Sequence, residues 1–295
     1  MDSNPKILAV GAAGRYAGLT VPALVAHGAD VRGLVRDPAR VDIARHNGAT
    51  DVVIGDLRDR ASLDEAMRGV DGAYFIAPVY PNDESQQTAR MFIQAAKNAG
   101  VRRIVFSSVF HPVISALENH IQKVPMEEAV IESGLEFTIL NPAHFYQNTA
   151  AIWPQVVATG VFAEPFSNSM KLSRVDYRDV AEVVAIALTE DRLVNGTFEL
   201  CADGGLDRCG VAAVMSDVLG RPIKAEATDI DTWLARSNLP QDDYSRNARA
   251  KMYGYYDTHE LVGNTFTLRA ILGREPLSLR QFFVDLNEGE QTTAR

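Results

Sequence analysis

Short apolar runs alternate with longer amphipathic stretches from Lys6 to Leu140. The runs at residues 7–10, 31–35, 51–54, 72–76, 103–106 and 137–140 have strand length and are rich in Val, Ile and Phe, the pattern of strands covered on both faces in a parallel sheet. Gly28, Gly48, Gly69, Gly100 and Gly134 stand where the intervening helices should stop, and Ser62-x-x-Glu65 reads as a capping box. Six strands joined by five crossovers predict a doubly wound α/β fold. After Pro142 the rhythm changes: a helix over 143–159 leads into a Pro-, Asn- and Ser-rich stretch at 164–169. Helix 177–189 with Asp176 as its N-cap, strand 197–202 and helix 211–219 ending at Gly220 follow. The chain thus divides into a nucleotide-binding domain at 1–150 and a smaller mixed lobe at 151–295, with parts of 170–202 returning to the sheet and a frayed tail at 288–295.

The first strand runs directly into Gly11-Ala12-Ala13-Gly14-Arg15-Tyr16-Ala17 and then a helix. Gly11 permits a tight turn, Gly14 lets backbone approach a pyrophosphate, and Ala17 lets the helix pack closely on its strand. That context makes the segment a dinucleotide-binding Rossmann turn. At the end of the second strand, where an acid would hold the ribose of NAD(H), the chain has Arg36-Asp37-Pro38. Asp before Pro is the signature of an N-cap followed by a first helical residue, which occupies Asp37. Arg36 and Arg40 are left to clasp a 2′-phosphate, so NADP(H) is expected in preference to NAD(H).

Composition narrows the classes. With 46% hydrophobic and 23% charged residues, the 295-residue chain reads as soluble and globular, and its start carries no basic leader pattern, so a cytoplasmic, unprocessed protein is expected. A net charge of −9 argues against direct nucleic-acid binding. Two cysteines, Cys201 and Cys209, and six scattered histidines offer neither a disulfide framework nor a metal site.

The glycine turn with Val35-Arg36-Asp37-Pro38, Gly55-Asp56-Leu57, Ser107-Ser108, Lys123 and Leu140-Asn141-Pro142 resembles the NmrA-like branch of atypical short-chain dehydrogenases, and the likeness resumes at Arg174-Val-Asp176-Tyr-Arg-Asp179. The family contains NADP(H)-binding redox sensors as well as reductases of quinones and dyes. By this resemblance residues 11–17 hold pyrophosphate, Arg36 and Arg40 the 2′-phosphate, Asp56 and Leu57 the adenine edge, and Ala77 and Pro78 line the cofactor. Ser107, Asn141, Pro142, Ala143 and Phe145 join them at the carboxyl edge of the sheet. Because Ser62 is read as the cap of the following helix, Asp56 is expected to be free for a ligand, though a turn-forming role is as good a reading.

Ordinary short-chain dehydrogenases use Tyr-x-x-x-Lys, in which the lysine tunes a tyrosine that protonates the carbonyl oxygen. Here Asn119 precedes Lys123 by four residues and cannot act as an acid. Lys123 is expected to hold the nicotinamide ribose. His120 is the nearest titratable group, read either as a catalytic residue or as a solvated helix-end histidine, with Pro125 expected in the first turn of a helix, which could begin only after His120 and Lys123. A conjugated acceptor needs no tuned tyrosine, and Phe110, His111, Asn119, His144, Tyr146 and Asn148 are the candidates to border it. Two functions remain open: an NADPH-dependent reductase of a quinone-like or conjugated small molecule, or a non-catalytic NADP(H) sensor acting through a regulatory protein partner, as monomer or homodimer. A lid formed by Tyr244, Tyr253, Tyr255 and Tyr256 is weighed against core or dimer packing.

Overall fold

Parallel strands need a crossover between them, and the sequence supplies a helix at each one. A computed structural model describes residues 4–236 and 242–289, so most of the predicted tail lies outside the described residues. Strands β1 (Lys6–Val10), β2 (Asp30–Val35), β3 (Asp51–Ile54), β4 (Gly72–Ile76), β5 (Arg103–Ser107) and β6 (Glu136–Pro142) are linked by α1 (Thr20–Ala26), α2 (Val41–His46), α3 (Arg60–Met67), α4 (Asp83–Ala99), α5 (Glu118–Ile121) and α6 (Val124–Ile131). The chain continues through β7 (His144–Phe145), α7 (Trp153–Thr159), β8 (Val161–Glu164), β9 (Arg174–Val175), α8 (Tyr177–Thr189), β10 (Gly196–Leu200), α9 (Arg208–Leu219), β11 (Lys224–Ala227), α10 (Ile230–Arg236), α11 (Asp243–Tyr256), α12 (Phe266–Leu272) and α13 (Leu279–Asn287).

Seven strands form one parallel sheet in the order β10-β6-β5-β4-β1-β2-β3. Ile7 of β1 pairs with Val31 on one side and Gly72 on the other, so strand order reverses at β1 and opens a crevice beyond the strands' carboxyl ends. One face is buried by α1, α2, α8 and α12 through Leu24, Ala44, Val184 and Leu268. The other is buried by α3, α4 and α6 through Leu63, Phe92 and Met126. All five predicted glycines have positive φ at helix ends. At the amino edge of the sheet Arg103, fully buried, is held by Glu136 at 2.7 Å, Asp191 at 2.6 Å and the Ala187 carbonyl at 3.0 Å.

A smaller core gathers Tyr146, Trp153, Phe162, Met215, Phe282 and Phe283 from the later part of the chain. The 164–169 stretch leads out of β8, which pairs with β11 in a separate two-stranded sheet. The continuous helix expected over 143–159 is absent. His144–Phe145 is a short strand paired with β9, Tyr146–Ala151 is a 3₁₀ turn, and only Trp153–Thr159 is α-helical, with Pro154 in its first turn. Tertiary pairing and Pro154 outweigh local propensity here. One cap and one helix start also differ. Asp59, not Ser62, caps α3 by accepting from the Ala61 N–H, and α9 starts at Arg208 behind Asp207. Asp176 caps α8 as expected.

Candidate functional site

The glycine turn adopts its shape because two side chains are missing. Gly11 has φ +71°, and a Cβ on Gly14 would sit 2.9 Å from the Gly11 carbonyl oxygen. The backbone N–H groups of Ala13, Arg15 and Tyr16 have no acceptor among the described residues, so the turn carries unused donors. Beneath it, a Cβ on Gly33 of β2 would meet the Ala12 Cβ at 2.8 Å. Gly33→Ala should therefore displace the turn and destabilise the fold by roughly 1–3 kcal/mol. Urea unfolding read by circular dichroism checks this, alongside a loss of nucleotide binding that exceeds the stability loss.

Beside the turn lies a cavity of about 660 Å³ lined by Gly11, Ala13, Gly14, Arg15, Arg36 and Arg40, with Pro22, Ile43, His46 and Asn47 closing it. Asp37 is occupied as the N-cap, accepting from the Ala39 N–H at 2.9 Å, with Pro38 as the first helical residue. Arg36 is exposed and makes no hydrogen bond or ion pair among the described residues, while the Arg40 guanidinium makes one bond, to the Ala13 carbonyl at 3.2 Å. Two guanidiniums with spare donors facing unpartnered backbone N–H groups fit a phosphate-bearing ligand. Asp56 is not free. Arg58 grips its carboxylate at 2.7 and 3.0 Å, which together with the Arg58 N–H holds its pKa near 2, and Ser62 bonds the Asp56 backbone rather than capping a helix. Leu57 packs beside the core of that face, Ala77 is buried after β4 with its N–H on the Ser107 carbonyl, and Pro78 is exposed.

A second group of polar residues collects beyond β5 and β6. Lys123 is 5% exposed, and burial pulls its amine down to about 8 against the opposing pull of Glu127. Glu127 accepts from Asn141 Nδ2, which also donates to the Val109 carbonyl, each at 2.9 Å. Ser108 Oγ, Asn119 Oδ1 and Asn141 Oδ1 are buried without hydrogen bonds among the described residues, so this pocket offers acceptors for a polar ligand or water. Pro125 lies in the first turn of α6, which begins at Val124 with Lys123 as its N-cap, two residues beyond Glu118–Ile121. His120 is not solvated. It is 2% exposed, burial and then Lys123 bring it to about 4, and its Nδ1 faces the His111 carbonyl at 3.3 Å, so it is a neutral imidazole near pH 7. Ser107 is buried at the end of β5, and Ala143 donates its N–H to the Leu200 carbonyl.

The substrate candidates separate. His111 takes a left-handed backbone, φ 48°, stacks on Phe110 and pairs with Glu199 at 2.8 Å. Asn119 reaches Met252 of α11 at 3.5 Å. His144, Phe145 and Asn148 lie against the glycine turn, where Tyr16 packs 5.1 Å from Phe145 and Arg15 bonds the Gln147 carbonyl. Tyr146 turns away: it is 1% exposed and packs on Phe282 in the small core. In the late aromatic stretch, Tyr256 is buried and Tyr253 packs against Phe166 and Trp233, while Tyr244 is exposed and donates to the Pro81 carbonyl.

Over residues 3–288 the sequence matches the NmrA-like family. The chain belongs to that family. It is 28% identical to the NAD(P)H azoreductase of Xenophilus azovorans, with 94% of this chain and 96% of that protein aligned. It is 32% identical to the (4-alkanoyl-5-oxo-2,5-dihydrofuran-3-yl)methyl phosphate reductase of Streptomyces griseus, over 76% of this chain and 78% of that one. Its fold matches an NADPH-dependent quinone oxidoreductase of Escherichia coli solved with NADPH, at TM-score 0.81 and 22% identity, covering 96% and 99% of the two chains.

In this NmrA-like chain, sequence reasoning missed Pro22, Ile43, His46 and Asn47 of the cavity. Arg40, Ile43 and Asn47 recur three or four residues apart, a helical spacing that would have placed them on one side. Glu127 and Gln147 were also missed. Glu127 stands four residues after Lys123, a spacing that could have paired them, whereas its bond to Asn141 and the Gln147 bonds to Asp176 and the Tyr177 N–H join segments more distant in sequence. Among the described residues no group of acids, histidines and cysteines is placed to hold a metal, and no helix is long and apolar enough to cross a membrane.

Proposed function

We propose that this protein is an NADPH-dependent reductase of a quinone-like or otherwise conjugated small molecule. The observation that carries the reading is the cavity in which unpaired Arg36 and lightly used Arg40 face the donors of the glycine turn, while Asp37 is taken up by capping. The two arginines suit a 2′-phosphate, which favours NADPH over NADH. The azoreductase and furanone-phosphate reductase among its relatives, and the quinone oxidoreductase that shares its fold, support an acceptor with an extended π-system.

When bound, the dinucleotide supplies a hydride. The chain's own residues bind, orient and exclude water. Ala13, Arg15 and Tyr16 offer backbone N–H groups to the diphosphate, and Lys123 offers its amine to ribose hydroxyls at the carboxyl edge of β5 and β6. Asn141 holds Glu127 beside Lys123, which keeps part of the amine's charge in a buried site. The neutral His120 and the amide Asn119 donate no proton from a charged state, so neither of them is the acid of the reaction.

A steady-state screen of NADPH oxidation against naphthoquinones, azo dyes and cyclic enones tests the reading. Turnover with at least one class, and slower turnover with NADH at equal concentration, is the expected result. A protein that binds NADPH and oxidises it with none of these acceptors is not a reductase of this class, and nucleotide-dependent pull-down of a protein partner would then support the sensor alternative.

A further inference from the structure

The reductase reading leaves the acceptor's proton without a source, since Asn119 stands where a tyrosine is usual and His120 is occupied by the His111 carbonyl. A phenol is available in the glycine turn itself. Tyr16 lies between Gly14 and Ala17, half-buried, with its ring 5.1 Å from Phe145 and 5.5 Å from Tyr177. Its hydroxyl donates to Asn148 Oδ1, and Asn148 Nδ2 donates to His144 Nε2 at 3.1 Å. The Arg15 guanidinium, held by the Gln147 carbonyl, sits 5.6 Å from the centre of the Tyr16 ring. A phenol, a hydrogen-bonded amide, an imidazole and an adjacent cation thus meet where the turn touches the 144–148 segment.

We propose that Tyr16 is the proton donor to the reduced acceptor, with Asn148 and His144 as positioning residues and Arg15 as the cation that stabilises the phenolate. The proposal rests on the reductase reading. The hydrogen-bond chain has two polarities. With the imidazole proton on Nδ1, Nε2 accepts from the Asn148 amide and Asn148 Oδ1 holds the hydroxyl proton. With that proton on Nε2, the imidazole donates to Asn148 Oδ1 and the rotated amide donates to the Tyr16 oxygen, which turns the phenol O–H toward a ligand. Both arrangements need a neutral imidazole, and burial, reinforced by Arg174, keeps His144 near 3. Tyr16 in turn is pushed up by burial and pulled back by Arg15, so it carries its proton at neutral pH while a cation waits for the anion.

The step balances. The acceptor gains two electrons and one hydrogen as hydride, the Tyr16 O–H bond breaks as an O–H bond forms on the acceptor, and a solvent proton restores the phenol. Acceptors that become basic alkoxides or enolates need this proton most. Quinones, whose reduced anions water can protonate, need it least.

The test compares the unmutated protein, Tyr16→Phe and Asn148→Ala with NADPH and either a cyclic enone or a naphthoquinone. Tyr16→Phe should lower enone turnover roughly a hundredfold and quinone turnover by less than about threefold, the range of a lost general acid against a bystander. NADPH affinity by nucleotide fluorescence should stay within about twofold, and the solvent deuterium isotope effect on enone turnover should vanish. A readout independent of turnover is ¹³Cζ-tyrosine NMR of the nucleotide-free protein: the resonance absent from Tyr16→Phe should shift in Asn148→Ala and titrate higher in Arg15→Ala. An unmutated protein inert toward both acceptors overturns the reductase reading and this proposal with it. An active protein whose Tyr16→Phe variant keeps its enone turnover overturns the proton-donor role alone. A Tyr16→Phe variant that loses NADPH binding as steeply as turnover has lost structure, and that result also overturns the role.

Discussion

Arg36→Ala should weaken NADPH binding roughly tenfold to a hundredfold and leave NADH binding nearly unchanged, because one charge-assisted clasp is worth on the order of 1.5–3 kcal/mol. The expectation follows from Arg36 having no competing partner among the described residues, so nothing in the protein offsets its contact with a phosphate. Its guanidinium does help to lower Asp56, which already has Arg58, so the substitution removes little from the fold. Arg40 should show a smaller loss, since its bond to the Ala13 carbonyl gives it a second task in holding the turn. Fluorescence titrations with both nucleotides, for both single variants and the double variant, decide the matter. NADH binding that equals NADPH binding in the unmutated protein removes the 2′-phosphate assignment.

Lys123→Met should abolish productive turnover and yet stabilise the protein near pH 7. The folded chain holds this amine near 8 through burial, against 10.5 for an ordinary lysine, so keeping it charged costs about 3 kcal/mol relative to the unfolded chain. Between pH 8 and 10.5 the unfolded chain carries a proton that the folded chain has released, so stability attributable to Lys123 is lowest below pH 8 and rises through that window. Methionine, of similar length and uncharged, removes both the penalty and the pH slope. Chemical denaturation at pH 7 and pH 10 should show the variant gaining up to about 3 kcal/mol at the lower pH and much less at the higher. A variant destabilised at pH 7 would show instead that the charge is firmly paired. Such a trade of stability for function is expected where a buried group serves a ligand.

The six strands and their helix-ending glycines were legible because a parallel sheet writes its signature locally, in apolar runs and positive-φ stops. The glycine turn, Arg36 and the capping role of Asp37 were legible for the same reason: strand, turn and helix are contiguous. What escaped was set by competition among near neighbours or by partners far along the chain. Ser62 fits a capping box by spacing, but Asp59 lies nearer the helix start and Ser62 turns to the Asp56 backbone. Residues 143–159 are apolar enough for one helix, yet β9, which arrives thirty residues later, draws His144 and Phe145 into a strand. Asp56 was open to a ligand or to a local turn, and the turn, closed by Arg58 two residues on, is what forms. His120 was indistinguishable in sequence from a solvated histidine until α5 was packed beneath the His111 loop.

The position of Arg103 bears on how such a protein can diversify. It clasps Glu136, Asp191 and the end of α8 at the amino edge of the sheet, whereas the turn, Lys123 and the 144–148 segment all occupy the carboxyl edge. Cohesion is anchored at one pole and chemistry at the other. A loop such as 108–117 can therefore be exchanged with that of a relative while the opposite pole keeps the sheet assembled. Chimeras built this way should inherit a donor's acceptor preference without inheriting its melting temperature.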